Sequence, residues 1–342
     1  MIASIFLAPF SGYLLLPDQA MAQAPPAFDG DENPRSNFWR AVREGNSGYT
    51  AVRGDEANVL IQNGGENWRQ LKQPVAQYGG WFIGAVALAC LLFLLLKGRL
   101  RLENGESGMT VERWTTFERT LHWVNATLFI ILGVTGLSLA YGRVVLIPII
   151  GKDVFAAYAG LAKVVHDYLG PVFGVVLTVL LLRWLWMNIP SMTDVRWFLK
   201  GGGMFTNEHV AAGKTNGGEK AWYWLLFFGG IAVVASGVVL DFPNLGATRG
   251  DMQLANLIHT GSALILVGAA VGHIFIGSIG SEGSLRAMTT GRVDVEWARQ
   301  HHDLWYQELL DQGVKPQTDS EAQAARDKPD KEAHSAHTPH SA

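Results

Sequence analysis

Apolar residues are concentrated in five long runs that are separated by shorter polar stretches. The runs lie at 81–96, 123–140, 168–187, 221–240 and 254–280. Their lengths are close to the ~20 apolar residues that a helix needs to cross a bilayer. Tryptophans lie near many of their ends, as in the aromatic belts of membrane proteins. The pattern predicts an all-α membrane protein with five transmembrane helices; buried core helices of a large soluble protein are the alternative.

Composition supports the membrane interpretation and excludes several classes of protein. Only 17% of the residues are charged, against about a quarter in soluble domains. The net charge of −3 provides no basic field, so no nucleic-acid partner is expected. Cys90 is the single cysteine. This excludes an internal disulfide, an iron–sulfur cluster held by this chain alone and the C-x-x-C-H attachment of a c-type haem.

The polar stretches suggest how the rest of the chain is organised. Residues 1–22 are predicted to be a signal peptide, because an apolar run ends in the small residues "AMA"; a retained, membrane-associated N-terminus is the alternative. Residues 23–80 are polar and rich in turn residues, which predicts a periplasmic segment before an N-terminal transmembrane helix at 81–97. Residues 311–342 have almost no apolar residues to order them, so a disordered tail is predicted.

Basic residues predict the orientation of the helices. Short cytoplasmic loops carry an excess of Lys and Arg. Twelve basic residues fall on one side of the predicted spans and four on the other. The four are Arg143, Lys152, Lys163 and Arg249. The prediction is therefore a periplasmic N-terminus and a cytoplasmic C-terminus.

Four histidines lie within or beside the apolar runs: His122, His166, His259 and His273. His259 and His273 are 14 residues apart, which places them about 21 Å apart and within about 40° of one face of a helix. In the predicted orientation, His122 is level with His273 on the cytoplasmic side, and His166 is level with His259 on the periplasmic side. Two stacked pairs of neutral imidazoles suit two six-coordinate b-type haems.

Two alternatives to haem binding remain open at this point. One is a proton relay in a haem-free transporter, and the other is a divalent metal site. A metal site normally recruits carboxylates or cysteines as well. The predicted spans carry almost no acidic residues, which weakens both alternatives.

Several motifs over about 112–310 resemble the cytochrome b (gamma) subunit of membrane-bound formate dehydrogenase, which is of the di-haem b556 type. The matching stretches include "FERTLHWVNATLF", "HDYLGPVFG", "LIHTGSALILVGAAVGHIFIGSIG" and "EWARQHHDLWYQE". The resemblance implies a four-helix di-haem domain over 112–310 with a cytoplasmic C-terminal end. Its axial haem ligands fall on His122 and His273 for the inner haem, and on His166 and His259 for the outer haem. Residues 1–100, with the extra N-terminal helix, have no counterpart in the shorter members.

The same resemblance implies a quinone site near the inner haem. The family's loop before the next span reads G-K-Y-N-A-G-Q-K, and here it reads "GKTNGGEK". The asparagine falls on Asn216, which would hydrogen-bond a carbonyl of menaquinone or ubiquinone. Thr215 replaces the tyrosine and Glu219 replaces the glutamine. An ordinary turn residue in an Asn-Gly pair is the alternative for Asn216.

The resemblance also implies a function and partners. The chain would anchor a formate dehydrogenase in the bacterial inner membrane and carry no formate chemistry itself. A catalytic alpha subunit that holds molybdenum or tungsten would deliver electrons to an iron–sulfur beta subunit. The beta subunit would pass them through both haems to quinone on the cytoplasmic side. The cytochrome b of a hydrogenase or thiosulfate reductase, and a haem-free transporter, are the alternatives.

Overall fold

A computed structural model describes residues 63–203 and 210–327 and confirms the all-α prediction. Within these residues five helices are long and apolar enough to cross a membrane, namely α1, α2, α4, α6 and α7. In chain order the elements are α1 (Asn63–Leu96), β1 (Thr110–Glu112), α2 (Thr116–Val145), α3 (Ile147–Ile150), α4 (Lys152–Trp184), α5 (Met192–Leu199), α6 (Gly217–Asp241), α7 (Arg249–Phe275), α8 (Ser284–Thr289), β2 (Arg292–Asp294), α9 (Val295–His301), α10 (Asp303–Asp311) and α11 (Asp319–Asp327).

Helix α1 is longer than the predicted span over 81–97. It begins at Asn63 and continues to Leu96, with Pro74 inside it. Residues 63–80 of the segment predicted to be polar and turn-rich are therefore helical. The predicted signal peptide at 1–22, and the remainder of the periplasmic segment up to residue 62, lie outside the described residues.

Contacts between Cα atoms divide the described residues into two compact units. One contains 63–78 and 235–261, and the other contains 79–203, 210–234 and 262–327. In the larger unit, apolar side chains of the long helices form a common core. Leu177 and Leu266 are almost fully buried in it, and small residues let the helices approach closely. Leu266 lies against Gly229, and Leu177 lies against Gly230. Many outward-facing apolar side chains are exposed, as expected for surfaces that face lipid.

The described part of the smaller unit contains residues 63–78 and 235–261. The indole Nε1–H of Trp68 donates a hydrogen bond to Asn256 Oδ1 at 3.3 Å. Thr248 and Asp251 cap the start of α7 reciprocally, since each side chain bonds to the other residue's backbone N–H. Side-chain caps of this kind satisfy N–H groups that have no partner within the helix.

A small polar–aromatic cap lies beyond the last long helix. Strands β1 and β2 pair antiparallel, with Val111 opposite Val293. Their buried face joins a cluster that includes Trp114, Trp297 and Trp305. This cap fixes the C-terminal helices α8 to α10 against the beginning of α2 in the larger unit.

The prediction of a disordered tail from residue 311 is wrong as far as residue 327. Gln317 exchanges two backbone hydrogen bonds with Thr110, at 2.7 and 3.0 Å. Asp319, at the start of α11, forms an ion pair with Arg286 at 2.6 Å, and Ala322 is buried. Polar and backbone contacts order this segment, so its lack of apolar residues was misleading. Residues 328–342 lie outside the described part of the chain.

Helix α5 connects α4 to the loop before α6. A capping box between Ser191 and Asp194 starts it, and Asp194 forms an ion pair with Lys220 at 2.9 Å. Burial alone would raise the pKa of the Asp194 carboxyl, but hydrogen bonds from Lys220 and Ser191 hold this pKa below its usual value. The outward face is apolar, with Met192 and Leu199 strongly exposed. Such a helix suits the membrane interface.

Candidate functional site

Two of the predicted ligands face each other across the bundle. His122 lies in the second turn of α2, and His273 lies in the last turn of α7. Their ring centroids are 6.3 Å apart. Two metal–nitrogen bonds of about 2 Å, with about 1 Å from each nitrogen to its ring centre, separate two axial imidazoles by about 6 Å. The observed spacing therefore fits one metal ion between the two rings.

Three buried polar atoms at this histidine pair and in the cavity beside it lack a hydrogen-bond partner among the described residues. His122 Nδ1, Asn125 Oδ1 and Trp184 Nε1 are buried and make no hydrogen bond within the described residues. All three residues line one cavity of ≈1620 Å³, together with His273. Most ligand pockets measure roughly 300–1,000 Å³. The cavity therefore has room for a porphyrin and a further ligand, and the unsatisfied polar atoms fit contact with a bound group.

An indole ring packs against one histidine of the pair, and a buried, ion-paired carboxylate lies near the other on the same helix. The indole of Trp222 stacks on the His273 ring at 4.8 Å and 13°. Near the other ring, Glu118 is buried and forms an ion pair with Arg183 at 2.8 Å. Sequence reasoning missed Glu118, although Thr115 and Glu118 carry the spacing of a capping box, and that box is present. The pairing gives Arg183 an acidic partner inside the protein.

His166 is oriented by a hydroxyl group. The Thr135 hydroxyl donates to the Ile131 carbonyl at 2.8 Å, so its oxygen accepts from His166 Nδ1–H at 2.9 Å. This hydrogen bond orients the ring and favours the tautomer in which Nε2 can bind a metal. A methyl group on Gly136 would lie 3.2 Å from the ring. A side chain at this position would therefore crowd the ring unless the ring shifted by a few tenths of an ångström.

His259 has similar surroundings in its own unit. Ser236 Oγ lies 3.4 Å from His259 Nδ1. A methyl group on Gly237 would approach the ring to 3.2 Å. His166 and His259 fall in different units, and each has a neighbouring hydroxyl and a neighbouring glycine. Within the described residues no cluster of three or more His, Cys, Asp or Glu side chains is suited to a metal ion.

Asn216 immediately precedes helix α6, which begins at Gly217, and it lines the cavity. Its Oδ1 accepts from the Glu219 backbone N–H at 2.9 Å, and Glu219 Oε2 accepts from the Asn216 backbone N–H at 3.0 Å. The Asn216 oxygen therefore caps the helix. Its amide nitrogen makes no hydrogen bond to a described residue, so a donor is left to face a ligand.

A buried ionic cluster next to Asn216 was not predicted from the sequence. Arg113 is 5% exposed. Its Nη2 donates to both oxygens of Glu219, at 2.9 and 3.1 Å, and to His302 Nε2 at 3.1 Å. The indole of Trp297 lies 4.8 Å from the guanidinium. These residues are too far apart in sequence for any local motif to connect them.

The fully buried His302 predicts a pH dependence of stability. Burial, and then the Arg113 cation, lower the pKa of His302 to about 3. The unfolded chain takes up this proton near pH 6.5 and the folded chain does not, so stability falls as pH drops below about 6.5. The slope from this residue is at most about 1.4 kcal/mol per pH unit.

We expect His302→Gln to show a shallower loss of melting temperature than the wild type between about pH 7 and about pH 5. Thermal unfolding of the detergent-solubilised protein measures this. The substitution keeps Arg113 and Glu219, so the contribution of their ion pair is common to both proteins. Parallel profiles would show that His302 does not carry the effect.

The comparisons with known proteins agree with this geometry. A family model for prokaryotic cytochrome b561 matches residues 113–291, which is more than half of the chain. The chain belongs to this family. The matched range contains all four histidines and leaves out α1. Membership of a cytochrome b family implies b-type haem, and with five apolar helices the chain is a multi-pass membrane protein.

Individual relatives of this family member are cytochrome b556 subunits. The formate dehydrogenase cytochrome b556(fdo) subunit of Escherichia coli K12 is 27% identical over 204 residues, or 58% of this chain and 93% of the relative. The nitrate-inducible b556(Fdn) subunit of the same strain is 27% identical over 210 residues, covering 58% and 91%. The formate dehydrogenase b556 subunit of Haemophilus influenzae is 28% identical over 207 residues, covering 57% and 82%.

Proposed function

We propose that this chain is the membrane-anchoring cytochrome b subunit of a formate dehydrogenase. The three relatives carry that name, and they align over most of their own lengths. The observation that carries the proposal is the facing pair of imidazoles, 6.3 Å apart beside a large cavity. The partners would be an iron–sulfur beta subunit and a catalytic alpha subunit with molybdenum or tungsten.

Two b-type haems are proposed, with His122 and His273 holding the inner one and His166 and His259 the outer one. A b-type haem between two imidazoles supplies one-electron transfer, so two of them would connect a periplasmic partner to the cytoplasmic side. The chain's own residues bind and orient these groups. The Thr135 hydroxyl would orient the His166 ring through its contact with Nδ1. The matching depth of each pair in the sequence supports the pairing.

A quinone is proposed as the electron acceptor, at the end of the cavity near Asn216. The cavity exceeds the volume of most single-ligand pockets. The amide nitrogen of Asn216 is placed to donate to a quinone carbonyl. Reduction of one quinone to quinol takes two electrons and two protons. With the N-terminus periplasmic and the C-terminus cytoplasmic in a bacterial inner membrane, the protons would come from the cytoplasm and electron flow would help to build a membrane potential.

Formate-driven reduction of the bound haem tests this proposal. The chain is purified from native membranes with its bound partners, and absorbance is followed after formate is added and then after quinone is added. We expect formate to produce reduced b-type bands and quinone to remove them. Reduction by hydrogen but not by formate would show instead that the chain serves a hydrogenase. The absence of reduced bands even with dithionite would show a haem-free protein.

A further inference from the structure

The segment after the last long helix holds the loop that precedes α6. His302 Nδ1 lies 2.8 Å from the Gly213 carbonyl oxygen. The Ala212 backbone N–H donates to Asp303 Oδ1 at 2.8 Å, and the Leu304 N–H donates to the Ala212 carbonyl at 3.1 Å. Three consecutive C-terminal residues thus contact two consecutive loop residues. The position of the loop is therefore set by a part of the chain about ninety residues away.

The hydrogen bonds of His302 fix its proton. A carbonyl oxygen can only accept, so His302 Nδ1 carries the hydrogen in its bond to Gly213. Nε2 is then unprotonated and accepts from Arg113 Nη2 at 3.1 Å. The side chain is fully buried, and its ring lies 4.9 Å from that of Trp297. His302 is thereby fixed as a neutral connector between the loop and Arg113.

Arg113 extends this connection to the start of α6. Its Nη2 donates to the Lys214 carbonyl at 2.9 Å and to both carboxylate oxygens of Glu219. Glu219 in turn completes the reciprocal cap with Asn216. A continuous set of hydrogen bonds therefore runs from His302 through Arg113 and Glu219 to Asn216.

We propose that His302 and Arg113 are positioning residues for a quinone head group. They act indirectly, by holding Asn216 and Glu219 at the cavity wall. The inference rests on the proposed quinone function. All four side chains line the same cavity as His273. The relevant part of the loop reads "GKTNGGEK", and its glycines give it little intrinsic rigidity. Ordering it before binding removes an entropic cost that quinone binding would otherwise carry.

This role predicts a specific kinetic signature. Loosening the loop weakens quinone binding but leaves the haem ligands in place. The concentration of quinone that gives half the maximal rate should therefore rise, while the maximal rate of electron transfer stays nearly constant. A substitution that only damaged the fold would instead lower the haem content and the maximal rate.

The test uses the full-length, haem-loaded protein reduced with dithionite and mixed rapidly with a short-tailed naphthoquinone or ubiquinone analogue. Reoxidation of haem is followed by absorbance as the quinone concentration is varied. For His302→Ala we expect the half-saturating concentration to rise about tenfold, because a buried donor and acceptor lose their partner. For His302→Gln, which keeps a donor and an acceptor, we expect a rise of no more than about threefold.

Gln307→Ala is the matched control, because Gln307 is exposed and bonds only to Asp311 among the described residues. It should behave as the wild type. An unchanged half-saturating concentration of quinone in His302→Ala would overturn this inference but not the proposed function. If His302→Ala loses haem, an unchanged half-saturating concentration in Arg113→Lys would overturn it equally. Failure of both quinones to reoxidise the wild type would overturn the proposed function, and this inference with it.

Discussion

Replacing His273 with alanine is expected to remove the inner haem and abolish quinone reduction. The rings of His273 and His122 lie 6.3 Å apart, so the substitution would remove one of the two proposed axial ligands and leave His122 without its counterpart. The proposed outer ligands, His166 and His259, are not changed by it. The purified variant should therefore keep one of the two proposed haems, which formate should still reduce. Haem content and formate-driven absorbance changes measure the outcome.

His122→Ala should give the same result, because either ligand is needed to hold the group between the rings. His334→Ala, in the C-terminal stretch of the chain, is the matched histidine control and should keep full haem content and quinone reduction. A His273→Ala protein that retained both haems and reduced quinone at the wild-type rate would refute the assignment of the inner site.

Replacing Arg113 with methionine is expected to destabilise the protein by about 2 kcal/mol. Arg113 is buried, and its loss leaves Glu219 without its cationic partner. Breaking a buried ion pair costs about 3–5 kcal/mol, and the smaller figure reflects the partial exposure of the Glu219 side chain to the cavity. His302 and the Lys214 carbonyl also lose a donor. The melting temperature in detergent should fall by several degrees.

The double variant Arg113→Met with Glu219→Gln should recover part of this loss, since it removes the unpaired charge. Arg69→Met is the matched control. Arg69 is paired with Glu66 on an exposed face of α1, and exposed pairs contribute at most about 1 kcal/mol. Equal losses for Arg113→Met and Arg69→Met would show that the buried cluster does not stabilise the fold.

The membrane fold was predictable because the bilayer imposes simple rules on the chain. A spanning helix must satisfy its backbone internally and present about 20 apolar residues to lipid. Runs such as 221–240 therefore indicate α6 directly. The start of α1 was not predictable in the same way. Residues 63–80 carry polar residues and Pro74, so they have no apolar run even though they are helical.

The closeness of His122 and His273 was predictable from depth, because the basic residues of the loops predict the direction of each helix. The cluster around Arg113 was not. Its partners Glu219 and His302 are 106 and 189 residues away, and such contacts leave no periodic pattern. Asn216 was predictable in one respect and not in another. The resemblance identified it as a possible ligand residue, but only the structure shows that its oxygen caps α6 while its nitrogen remains available.

The haem content of the purified wild-type chain tests the central claim most directly. Quantification of extracted haem against protein, together with the dithionite-reduced spectrum, should give two b-type haems per chain. A ratio of one would contradict the assignment of two histidine pairs. The absence of b-type haem would contradict the account as a whole.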